Sequence, residues 1–189
     1  MKALCRGRWH AGSRSVRGLQ GEESSRASSS AVRNAARTSG LDAYLATGAE
    51  FLRPHQLAPL SQSYQHHGRE EEQLTTLADA LVLVDKTDER WWEAELHRLK
   101  GESLWRHANP DAVEVERCFQ KALEVARHQE AKFLELRATV SLTRLWQRLG
   151  RRAEAYDLLS RIYGWFPEGF DTPDLQEAQA LLGELAHEN

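Results

Sequence analysis

The chain has 189 residues with 25 Lys+Arg against 28 Asp+Glu, a net charge of -3, 41% hydrophobic and 8% aromatic residues. That is the composition of a globular chain of about one domain, and it excludes collagen-like, mucin-like and wholly disordered classes. No stretch is long and apolar enough for a membrane-spanning helix, and the Arg-studded N-terminus lacks the apolar core of a secretory signal, so a soluble, cytoplasmic protein is predicted.

Cys5 and Cys118 are far apart and form no CxxC, which argues against a disulfide framework and against a zinc site. Residues 1–40 carry Lys2, Arg6, Arg8, Arg14, Arg17, Arg26, Arg33 and Arg37 against only Glu22 and Glu23. The stretch is Ser-rich and poor in large aliphatic residues, so it offers little burial to offset the entropy of ordering. It reads as a disordered basic tail, with a transit peptide and a basic contact arm as alternatives.

From residue 41 onward apolar residues recur at spacings of three and four, as in Leu74, Leu77, Leu81, Val84 and in Val115, Phe119, Ala122, Ala126. The same spacing continues through Leu134, Ala138, Leu142, Leu145 and through Leu175, Ala178, Leu182, Leu185. These are amphipathic helices, and no segment alternates with period two for long enough to suggest a strand.

Sliding the chain against itself by 41 residues aligns Phe51, Trp92 and Phe133, and separately Tyr64, Trp105 and Trp146. The same shift aligns Gly68, Asn109 and Gly150, whose residue types suit the left-handed turn after a helix end. It also aligns Leu74, Val115 and Tyr156; Leu77, Cys118 and Leu159; and Val84, Val125 and Phe166. Each unit therefore reads as helix, turn, helix, at about 49–89, 90–130 and 131–171. Leu41, Tyr44 and Leu45 look like the stub of an earlier helix, so the array reads as cut at its front. One hairpin cannot cover its own apolar face, whereas stacked hairpins share a core, which predicts an all-α solenoid of about three hairpins. Pro54 and Pro59 fall in the first helix, each removing a backbone donor, so unit one is expected to be kinked and least stable. Thr172, Pro173 and Asp174 supply a cap, a proline at the first helical position and a first-turn acid for a closing helix over 172–187.

The pattern of Leu57, Leu60, Tyr64, Gly68, Leu77 and Ala80, and of Leu142, Trp146, Gly150, Ala155 and Leu159, resembles the tetratricopeptide repeat. At 41 residues the unit is longer than the usual 34 of that repeat. The run Glu89–Glu102 and the ending Tyr163–Ala178 resemble the C-terminal repeat region of bacterial predicted ATPase and adenylate/guanylate cyclase fusion proteins, over about residues 41–187. In that family the nucleotide-binding and cyclase domains precede the repeats, and the repeats serve regulation or partner binding. The resemblance thus implies a non-enzymatic protein-binding or regulatory module and a fragment of a larger signalling protein. Residues 1–40 do not match the family, which suggests a truncated or re-started reading frame. No GxxxxGK[ST] loop is present to cradle ATP phosphates, and no cofactor is expected. The rival reading is a cyclase or ATPase whose catalytic part lies on another polypeptide.

The remaining constellations have plain explanations. The eight histidines show neither HExxH nor close pairing with cysteine, so no metal site is expected. Glu70, Glu71 and Glu72 begin a helix, where negative charge complements the dipole. Cys118 lies on an apolar stripe as a small packing residue and not as a nucleophile. Trp92 falls in register with the core, leaving Trp91 at the edge, either covering a neighbouring helix or free for a partner. Tyr163–Pro167 is expected to pack the closing helix.

Carrying over the tetratricopeptide repeat's groove-facing positions, anchored on Gly68, Asn109 and Gly150, gives His55, Gln62, Gln65 and His66 in unit one. Unit two gives Ser103, Arg106 and His107, and unit three gives Arg137, Arg144, Gln147 and Arg148. This face is polar and basic on an otherwise acidic body, which would suit an acidic peptide because Arg offers a planar bidentate fork. A solvated face without a ligand is the alternative. Neither a membrane nor a nucleic-acid partner is expected. Uncovered apolar surface around Tyr44, Leu45 and Phe51 would favour self-association.

Overall fold

The computed structural model describes residues 53–107 and 109–187, without the side chains of Arg53 and His66. The expectations for residues 1–40 and for Leu41, Tyr44, Leu45 and Phe51 lie outside the described residues. Among those described there are seven α-helices and no strand. They are α1 Arg53–His66, α2 Glu70–Thr87, α3 Glu93–Arg106, α4 Ala112–His128, α5 Lys132–Arg148, α6 Arg152–Tyr163 and α7 Pro173–His187. They make three antiparallel hairpins and a closing helix, the all-α tetratricopeptide-like solenoid.

No single core serves all seven helices. Leu57, Leu77, Ala80, Val84, Leu96 and Leu99 pack α1, α2 and α3 together. Val115, Phe119, Ala122, Ala138, Leu142 and Leu145 join α4 to α5, and Leu136, Leu159, Ile162, Phe166, Leu175 and Leu185 join α5, α6 and α7. Trp146 packs against both of the last two clusters, which makes them continuous. A buried leucine such as Leu77 or Leu159 is worth about 1.5–3 kcal/mol relative to exposure, so each hairpin depends on its neighbour for stability.

The first helices of successive hairpins touch, α1 on α3, α3 on α5 and α5 on α7, whereas the second helices stand farther apart. That asymmetry bends the stack and puts α1, α3, α5 and α7 on its inner face.

The turns explain themselves locally. After α1, Gly68 has φ +67, and the Arg69 N–H donates to the Tyr64 carbonyl at 3.0 Å. After α5, Gly150 has φ +78, and Arg151 N–H donates to Trp146 O at 2.8 Å. Both are the glycine C-cap in which the chain turns back over the helix end. The second hairpin turns differently. Five residues separate α3 from α4, Pro110 stands in the connection, and the Asp111 carboxylate caps α4 by accepting from the Val113 and Glu114 N–H groups.

Several expectations need correction. Trp91 and Trp92 belong to a 3₁₀ turn, Arg90–Trp92, that precedes α3, and not to an α-helix. Phe133 and Tyr156, aligned with core columns, are exposed. Thr172 precedes α7, but its hydroxyl donates to the Gly169 carbonyl at 2.7 Å. Asp88 and Glu130 adopt φ +57 and +54 in the turns between hairpins, at residues that carry no glycine signal. Pro54 lies in the first turn of α1, where its missing donor has no helical partner to lose, while Pro59 lies inside the helix, which runs unbroken through it.

Candidate functional site

The inner face is lined by arginines and carboxylates on α3, α5 and α7, and burial divides them into two layers. At the floor, Arg98 is 7% exposed and donates to both Glu95 oxygens at 2.8 Å. It also reaches Glu102 and the Ser141 hydroxyl on α5, and that hydroxyl donates to Glu102 at 3.1 Å. Burial alone would lower the Arg98 pKa, but the Glu95 and Glu102 carboxylates outweigh it and raise it, so the guanidinium stays charged. Arg137 on α5 completes the layer, 3.1 Å from Glu95 and 3.7 Å from Asp174 at the start of α7. The floor thereby ties three helices together through charge.

Above it runs a groove of about 420 Å³ bordered by Glu102, Trp105, Arg106, Phe119, Arg144, Leu145 and Arg148. Arg148 lies over the Trp105 ring, 5.3 Å from its centroid. Arg106 stands 3.8 Å from Glu102. A smaller cavity of about 100 Å³ lies beside it, bordered by Arg98, Glu102, Arg137, Arg144, Asp174 and Glu177. Arg144 borders both, and within the smaller cavity it pairs with Glu177 of α7 at 2.8 Å.

The structure brings Arg106, Arg144 and Arg148 into one groove and Arg137 beside it. Ser103 is not on that surface: it is 1% exposed and donates to Gln73 on α2, which in turn donates to Gln65 at 3.4 Å. This chain of side chains stitches α1, α2 and α3 together, since a buried hydroxyl is costly without a partner. His107 ends α3 with its ring 3.9 Å from Glu70. His55 lies apart from the groove, stacked on Trp91 at 5.0 Å and edge-on to Trp92 at 5.2 Å. Trp92 packs on the core, and Trp91 is 46% exposed. Gln62 and Gln147 are partly exposed, and the His66 side chain lies outside the described residues.

Sequence reasoning missed the acids. Glu95, Glu102, Asp174 and Glu177 face the same arginines, so the surface is mixed in charge: Arg98, Arg106, Arg137 and Arg144 meet four carboxylates, and Arg148 stands beside them. Glu102 was within reach of the same register argument, four residues from both Arg98 and Arg106. Asp174 and Glu177 required treating the closing helix as part of the inner face. Among the described residues no group of three His, Cys, Asp or Glu could hold a metal ion, and no helix is long and apolar enough to cross a membrane.

A solved structure from Podosopora anserina, a putative kinesin light chain with nearly identical tetratricopeptide-like repeats, matches this architecture with a TM-score of 0.53 at 17% identity. The likeness is one of fold. It covers 70% of this chain and 65% of the other, so the chain spans just under two thirds of that neighbour's length. No family model and no curated protein matches the chain.

Proposed function

We propose that the chain is a non-enzymatic, cytoplasmic protein-interaction module whose inner groove takes an acidic peptide. One observation carries the reading: Arg106, Arg144 and Arg148 converge on a single groove with an aromatic wall at Trp105. Arg148 has no carboxylate within ion-pair distance among the described residues, and its guanidinium is preoriented by the indole beneath it. A peptide carboxylate would meet a planar donor fork there, beside the Trp105 indole. His55 and Trp91 offer a second contact for a longer ligand, because a half-exposed tryptophan is a favoured interface anchor. The resemblance of residues 89–102 and 163–178 to repeat regions of bacterial ATPase and cyclase fusion proteins supports a regulatory role within a larger signalling protein.

The test is fluorescence anisotropy with a labelled oligoglutamate peptide, with oligolysine as control. The wild type should bind the acidic probe alone, and Arg144→Glu/Arg148→Glu should weaken binding by roughly tenfold or more, as expected for reversing two charges in the groove. Equal binding by wild type and variant would remove the groove from the account.

A further inference from the structure

The closing helix contributes two carboxylates to the arginine surface, and their placement suggests more than a cap. Asp174 and Glu177, three residues apart, lie on the side of α7 that faces α5, where they meet Arg137 and Arg144, seven residues apart. Resting on the groove reading above, we propose that Glu177 is a built-in competitor for the groove arginine Arg144, so that an acidic partner enters by taking Arg144 from Glu177.

Three features carry this. Arg144 borders both the small cavity that holds Glu177 and the larger groove that would hold the peptide, so one guanidinium serves two alternative carboxylates. The Arg144–Glu177 pair is open to water, with side chains 59% and 41% exposed, so its exchange meets little desolvation cost. The helix itself does not have to move. Leu175 and Ala178 are fully buried, and Leu181 and Leu185 are 4% and 2% exposed, so α7 stays docked through its apolar face while Glu177 rotates away. Arg137 plays a different part: Glu95 holds it from the floor at 3.1 Å, so it is not released with Arg144.

The competitor is weak, and the expected effects are correspondingly modest and salt-dependent. In the full chain at low ionic strength, Glu177→Gln should tighten oligoglutamate binding roughly threefold, the scale of losing one exposed ion pair. The gain should vanish in Arg144→Gln/Glu177→Gln, which has no exchanged arginine left. Equal affinity of wild type and Glu177→Gln, with binding still lost in Arg144→Glu/Arg148→Glu, would overturn the competitor and leave the groove standing. If neither wild type nor the α7 variants bind the probe, the groove and the competitor both fall. Unchanged helical circular dichroism in each variant keeps the comparison one of binding.

Discussion

The floor and the rim of the inner face use the same chemistry for different ends. Arg98 and Glu95 are almost inaccessible, and Arg98 reaches across to Ser141 on the next hairpin. Arg144 and Glu177 form an equally short contact at 2.8 Å in open water. Distance does not distinguish them; desolvation does. A buried guanidinium left without its carboxylate is costly, so the floor pairs are locked once the hairpins stack. A rim pair has water as a substitute partner and can be traded for a ligand at little cost.

The largest effect expected from this contrast is at the floor. Arg98→Met should destabilise the chain by about 3 kcal/mol or more, because the buried Glu95 is left with Arg137 as its ionic partner and Glu102 loses its buried arginine. Replacing both Arg98 and Glu95 with Met should recover part of that loss, since the buried carboxylate is then gone while Arg137 keeps Asp174 as a partner. Urea denaturation gives both numbers. A single-variant loss no larger than that of an exposed pair would dissolve the distinction between floor and rim.

The floor rests on α3, and Gly101 on the same helix sets how closely α3 approaches α4. A Cβ there would stand 2.6 Å from Cε1 of Phe119, within a ring that is 2% exposed. Gly101→Ala should cost about 1–3 kcal/mol as overpacking, measured by the same denaturation. Phe119→Leu added to Gly101→Ala should cost less than Phe119→Leu in the wild type, because the two side chains share one space. Additive losses would show that the ring is not what Gly101 makes room for.

How much of this was legible in the sequence follows from which forces repeat. Apolar burial recurs with every hairpin, so the 41-residue shift located Leu77, Cys118 and Leu159, all buried on second helices. It found the turn glycines for the same reason, since a positive φ strongly favours one residue type. Gly101 was invisible because its register partners are Leu60 and Leu142; the close approach occurs once and not three times. The ionic partners were equally hidden. Arg98 meets Ser141 across 43 residues, and Arg144 meets Glu177 in a helix read only as a cap. Basic residues on a helix face can be counted from sequence, but the carboxylates that meet Arg144 and Arg137 from α7 come from another helix. The groove therefore looked more basic in sequence than it is.

Glu135 sharpens the comparison because it belongs to neither layer: its carboxylate is 7% exposed, yet its partners, Arg127 at 2.9 Å and Lys132 at 2.7 Å, reach into solvent. Burial pushes the Glu135 carboxyl up, but the hydrogen bonds from Lys132 and Arg127 outweigh burial and hold it below the usual carboxylate range. A carboxyl whose folded-state pKa is depressed stabilises fully at pH values above its unfolded pKa. That contribution is lost as pH falls through the lower folded-state value. Glu135→Gln should therefore cost about 1 kcal/mol at neutral pH, and the difference from wild type should close on acidification below the ordinary glutamate range. If the loss at neutral pH matched that of Arg98→Met, burial of the carboxylate alone would set the cost. A smaller loss means that solvent-exposed partners soften it, whereas in the Arg98–Glu95 pair of the floor both members are dry.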